Sequence, residues 1–175
     1  TTLANLAVTM AQAGNRVLVV DCDLRRPSQH RLFGVPNAAG LTTMMVQGQG
    51  LDKLPVQATG VANLSVLTSG PLPPNPSELL GSRRLGEVLA QLKNEADILL
   101  VDAPPIIAVA DAAILASKVD GVLLVVQANK TRRELARRAK AMLDKANANV
   151  LGVVLNNVKL DSSMYRYYAD AGAKG

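Results

Sequence analysis

Two rhythms of apolar and polar positions run through this chain. In residues 1–13, Leu3, Leu6, Ala7 and Met10 keep the i, i+3, i+4, i+7 spacing of a helix with one buried face, and Gly14 supplies a stop. Val17 to Val20 is an unbroken apolar run that ends in Asp21. A strand apolar on both sides suits the centre of a parallel sheet, where helices cover both faces. The second rhythm returns at Leu64 to Thr68, Ile98 to Val101, Val122 to Val126 and Val150 to Leu155. Helical spacing returns from the N-cap Ser77 to about Asn94, turning Leu85, Val88, Leu89 and Leu92 inward. It predicts a further helix at 111–117. A long helix is expected from Thr131, where Glu134 three residues later completes a capping box.

Residues 24–63 are less regular and read as loops with short helices. GPLPPNPS, residues 70–77, reads as a rigid loop, because its four prolines fix φ and remove backbone donors. Strand and helix otherwise alternate. Parallel neighbours need crossover connections, so the alternation predicts an α/β fold with a mostly parallel sheet flanked by helices. Residues 1–160 are expected as one domain and 161–175 as a flexible tail.

Composition narrows the function classes. Nearly half of the 175 residues are apolar, which excludes a disordered chain, and no apolar run approaches the roughly 18 residues of a membrane span. A single cysteine, Cys22, excludes an internal disulfide, and with His30 as the only histidine no zinc site can be assembled. The net charge of +5 is spread among acidic residues and reads as a solvated surface. Arg132, Arg133, Arg137, Arg138, Lys140 and Lys145 share one helix, either as a solvated face or as an interface for acidic groups or phosphotyrosine. No aromatic residues accompany that charge, so nucleic acid is not an expected partner. All three tyrosines, Tyr165, Tyr167 and Tyr168, cluster near the C-terminus.

Candidate chemistry lies where strands end. VLVVDCD and ILLVDAPP put Asp21, Asp23 and Asp102 at the carboxyl edge of the sheet, where ligands bind in such folds. Carboxylates there can hold Mg²⁺ or orient a nucleophile. If the D-x-D segment stays extended, Asp21 and Asp23 point to one side and call for a cation between them; if the chain turns after Val20, they separate. Asn156 reads from its position as a strand-terminating turn residue.

The stretch TTLANLAVTMAQAGNRVLVVDCDLRRP, the segment ILLVDAPP, the proline loop GPLPPNPSELL and the tyrosine cluster together resemble the bacterial P-loop tyrosine kinases of capsular and exopolysaccharide synthesis. The Walker-like pieces alone are shared with partition and septum-site ATPases, which stand as the alternative. The resemblance implies a P-loop NTPase-like fold whose first strand and Walker A loop lie upstream of Thr1, since no G-x-x-x-x-G-K-[ST] occurs in the chain. It implies ATP and Mg²⁺ as ligands, with the three acidic side chains converging on a magnesium-bound triphosphate. Asp21 would be the base for a tyrosine hydroxyl and a metal residue, Asp23 would assist, and Asp102 would hold Mg²⁺. Thr1 and Thr2 would lie beside the phosphates and Asn156 beside adenine. Tyr165, Tyr167 and Tyr168 would accept phosphate from a neighbouring copy in a homo-oligomer. A transmembrane activator, fused or separate, would hold the domain on the cytoplasmic side of the bacterial inner membrane.

Overall fold

The computed structural model describes residues 1–46 and 54–159. The tyrosine cluster, and with it the expected tail, lies outside the described residues. Among the described residues no helix is long and apolar enough to cross a membrane.

The expected alternation is present. In chain order the elements are α1 (Thr2–Gln12), β1 (Val17–Asp21), α2 (Gln29–Phe33), α3 (Leu41–Val46), β2 (Gln57–Ala58), β3 (Leu64–Leu67), α4 (Pro76–Gly81), α5 (Arg83–Leu92), β4 (Ile98–Asp102), α6 (Asp111–Ala116), β5 (Val122–Gln127), α7 (Arg133–Lys145) and β6 (Val150–Asn156). Strands β2-β3-β1-β4 form one sheet and β5-β6 a second. Every pairing is parallel except that of the two-residue β2 with β3.

β1 is buried along its whole length, as its two-sided apolar sequence predicts. One face packs on α1 and the other on α3, α4 and α5. In α1 the deeply buried residues are Ala4, Ala7 and Ala11, with Leu3 and Met10 partly buried beside them. Small side chains thus set the close approach of helix to sheet, and the leucines flank it. On the other face Leu18 and Val20 join Leu41, Leu85, Val88, Leu89 and Leu92 in the largest cluster. A third cluster lies between α6, α7 and the β5–β6 pair, around Ile106, Ala112, Ala116, Ala139 and Leu143.

Two helix expectations need correction. The single helix expected over 77–94 is two helices. Ser82 is extended (φ −65°, ψ 156°), and its hydroxyl accepts from the Leu85 N–H, so it caps α5 after α4 has ended. The first of the two helices is headed by Asn75 and not by Ser77. The capping box at Thr131 also does not form: α7 starts at Arg133 with Arg132 as its cap, and the Thr131 hydroxyl accepts instead from Gln127 N–H at 3.0 Å. The basic residues of α7 are exposed, as both readings of that face require.

The proline loop is fastened at Gly40 and Gly70. A Cβ on Gly40 would lie 2.2 Å from the Thr68 carbonyl oxygen, and Gly70 has φ +77°. Only glycine accepts that contact and that φ without strain. The Leu41 and Thr42 N–H groups donate to the Thr68 and Ser69 carbonyls, locking the start of α3 to the end of β3.

Candidate active site

β1 and β4 run side by side in parallel, with Asp21 and Asp102 as Cα partners at their last positions. The sheet therefore delivers both strand-end carboxylates to one edge, as the sequence implied. Their environments differ. Asp21 is fully buried, and three backbone N–H groups hold it: Asp23 to Oδ1 at 3.3 Å, and Ser28 and Gln29 to Oδ2 at 3.0 and 2.9 Å. It thus anchors the start of α2. Burial raises its pKa above the ordinary carboxylate value, opposed by these N–H groups and aided by the neighbouring charge of Asp102. Asp102 is half-buried and also raised, chiefly by burial, against the donation it receives from Gln29 Nε2 at 2.6 Å.

Asp23 settles the D-x-D question in favour of the turn. The chain leaves the sheet after Asp21, and Asp23 Oδ1 accepts from the Arg25 and Arg26 N–H groups at 3.2 and 2.9 Å. Its carboxylate still acts electrostatically on Asp102. Asp21 and Asp102 thus share the strand edge, with Asp23 on the loop just beyond them. Among the described residues no group of three or more His, Cys, Asp or Glu side chains is placed to hold a metal. Cys22, fully buried between Asp21 and Asp23, has its thiol pKa pushed up by burial and by Asp21 and Asp102, so it stays protonated.

The N-terminal end of α1 reaches the same edge. Thr1, the N-cap of α1, lies close to Asp102. Asn156, the last residue of β6, donates through Nδ2 to Thr2 Oγ1 at 3.0 Å. Its Oδ1 accepts from Asn157 N–H at 2.8 Å, and it is Asn157, with φ +56°, that turns the chain after the strand. Thr1, Thr2, Asp21, Asp102 and Asn156 thus gather on one side of the molecule, from segments up to 154 residues apart.

Sequence reasoning missed two contributors. One is Gln29. The other is a clamp beneath the D-x-D loop: Arg25 donates to both oxygens of the fully buried Asp111, at 2.7 and 3.2 Å, and to Ser77 Oγ at 3.0 Å. Ser77 in turn donates to Asp111 Oδ1 at 2.5 Å. The Arg25 bonds hold the Asp111 pKa below the ordinary range. This ties the D-x-D loop, the proline loop and α6 together. Only the arginine next to the acidic pair hinted at it.

The donor set suits a hard cation. It is all oxygen, and Gln29 Oε1 is a buried acceptor without a partner among the described residues, on the amide that donates to Asp102. Asp102 and Gln29 are the residues that would face a bound Mg²⁺. Asp21 Oδ2 accepts two backbone N–H groups and Oδ1 a single long one, at 3.3 Å.

A mostly parallel sheet with carboxylates at its strand ends and a helix N-terminus beside them is compatible with the P-loop NTPase class, and the ParA family, described as "NUBPL iron-transfer P-loop NTPase", matches residues 1–165. The chain is 42% identical over 169 residues to the putative tyrosine-protein kinase CapB of Staphylococcus aureus, covering 95% of this chain and 74% of the relative. It is 44% identical to the tyrosine-protein kinase YwqD of Bacillus subtilis strain 168, covering 96% and 71%. The crystal structure of the chimerical protein CapA2B2 superposes with a TM-score of 0.84 at 36% identity, over 90% of this chain and 70% of that one. The chain belongs to the bacterial tyrosine-protein kinase family.

Proposed function

We propose that this chain is the catalytic domain of an ATP-dependent tyrosine autokinase that controls capsular or exopolysaccharide polymerisation and export, and that its phosphate loop is supplied by the segment preceding Thr1. The observation that carries the reading is the register pairing of Asp21 with Asp102 beside the N-terminal end of α1. A helix N-terminus offers unpaired N–H groups and a favourable dipole to phosphates. Among the described residues β4 ends one sheet and β5 and β6 form another, which leaves strand edges able to receive a further parallel strand.

Phosphoryl transfer of this type is positioning and charge stabilisation. When bound, Mg²⁺ would neutralise charge on the transferring phosphate oxygens. Asp102 would face the cation, held by Gln29. Asp21, which accepts from three backbone N–H groups, would hold the loop that carries Asp23. Asp23, half-buried on the rim, is the carboxylate that an acceptor hydroxyl could approach, which moves the expected base one step along the D-x-D pair. Thr1 and Thr2 would line the phosphates, and Asn156 the base. Tyr165, Tyr167 and Tyr168 would be the acceptors, presented by a second copy. A transmembrane activator, fused or separate, would keep the domain at the cytoplasmic face of the inner membrane.

The test uses full-length protein and γ-labelled ATP. Label on protein that disappears when Tyr165, Tyr167 and Tyr168 are all changed to Phe supports the kinase. Phosphate release without protein labelling would favour the partition or septum-site type of ATPase. Asp102→Asn is expected to lower tail labelling by about two orders of magnitude or more while the fold survives, since it removes an oriented charge at a strand end rather than a core contact. Normal labelling would remove Asp102 from the site.

A further inference from the structure

Gln29 makes two bonds and lacks a third. It is fully buried, although glutamine is rarely so without a complete set of partners. Its backbone N–H donates to Asp21 Oδ2 at 2.9 Å, and its side-chain Nε2 donates to Asp102 Oδ2 at 2.6 Å. One residue therefore spans both strand-end carboxylates. Its Oε1 is buried and has no hydrogen-bond partner among the described residues.

The amide orientation is fixed by its neighbour. Exchanging Oε1 and Nε2 would set a carbonyl oxygen against a carboxylate oxygen at 2.6 Å and lose the bond. Oε1 and Nε2 sit on the same carbon, so Oε1 lies beside the Asp102 carboxylate. An acceptor next to a carboxylate is built to receive a donor that the carboxylate also attracts. A water bound to a divalent cation is such a donor, because the cation polarises its protons and Mg²⁺ keeps several waters when it binds protein carboxylates.

We propose that Gln29 is a positioning residue of the cation–nucleotide site, its Nε2 fixing the Asp102 carboxylate and its Oε1 accepting a hydrogen bond from a water of the bound Mg²⁺. The inference rests on the reading of Asp102 as the carboxylate that faces the cation. Gln29 is not a ligand in this arrangement. It acts on Asp102 and on the hydration shell, so its loss weakens Mg²⁺ binding and leaves Mg²⁺-independent nucleotide contacts alone.

The test is a binding measurement on full-length protein with a fluorescent ADP analogue, titrated with MgCl₂ and repeated in EDTA. Gln29→Met keeps the length of the side chain and removes both hydrogen-bonding atoms. It is expected to raise the Mg²⁺ concentration for half-maximal enhancement of binding by roughly 10- to 100-fold, the range for loss of an outer-shell partner. Affinity in EDTA should stay within about twofold of wild type on the same grounds. Gln29→Asn keeps an amide but withdraws it by one methylene. It should shift the Mg²⁺ titration in the same direction by less, and it serves if Gln29→Met does not fold. An unchanged Mg²⁺ titration in the folded variants, with Asp102→Asn shifting it strongly, overturns the role of Gln29 alone. An equal loss with and without Mg²⁺ overturns it too and leaves Gln29 a structural residue. If Asp102→Asn also leaves the titration unchanged, the cation site itself is misplaced and the proposal falls with it.

Discussion

β1 and the β5–β6 pair have nearly the same composition and opposite surroundings. β1, VLVVD, is buried at every position. β5, VLLVVQ, alternates between half-buried and exposed, and Leu151, Val153 and Leu155 of β6 are 67%, 61% and 56% exposed. The residues do not account for the difference; the layers do. β1 has α1 on one face and α3 to α5 on the other, whereas the described neighbours of β5–β6 are α6 and α7 on one face. An apolar strand states how much cover it needs, and it does not supply that cover.

Core truncation should separate the two regions most. Leu18→Ala in β1 is expected to cost about 2–5 kcal/mol, the range for a buried leucine, whereas Leu151→Ala should cost under about 1 kcal/mol. Urea unfolding of the 175-residue chain measures both, and similar costs would erase the contrast. Next in size is the clamp. Asp111→Ala is expected to cost about 1–3 kcal/mol, the range for a hydrogen-bonded buried carboxylate. Because Arg25 holds the Asp111 pKa below its ordinary value, this contribution is complete above about pH 4 and is lost as pH falls through the lowered folded value. Wild type should therefore lose more stability than Asp111→Ala as pH drops below that range, and parallel acid limbs would exclude the pair as a contributor. The smallest effect concerns the bond between Lys93, at the end of α5, and Asp120, before β5, at 2.8 Å. Both side chains are largely exposed, so Lys93→Ala should change stability by less than about 0.5 kcal/mol. A larger loss would mean that this bridge couples the two sheets.

Five of the six strands were legible almost to the residue, because two-sided apolar runs bounded by Asp, Asn or Gly have few other readings; the two-residue β2 was missed, within the 24–63 stretch read as loops with short helices. The inward face of α5 was equally legible. The break at Ser82 was not read, although Gly81 just before it is a poor helix former; the capping bond shows that one helix ends and another starts. The Thr131 capping box failed because its hydroxyl was claimed by a strand-end N–H four residues earlier. At the site, Asp21 and Asp102 were readable because strand ends are, while the turn at Asp23 hung on local backbone bonds. Gln29 and the Asp111 clamp were invisible because their partners lie 73 and 86 residues away, and periodicity carries no information about such pairings.

The register of β1 on β4 has a consequence for how this site can change. Asp21 and Asp102 face each other because Val17 pairs with Ile98 and each later residue keeps step. The spacing of their Cα atoms is a property of the ladder, set near the roughly 4.8 Å between neighbouring strands. It can be altered only by sliding a whole strand, and one step moves a carboxylate by about 3.3 Å and sends it to the opposite face. Gradual drift in spacing is therefore closed to this pair; evolution or design can swap the side chains at these two positions, or abandon the alignment altogether.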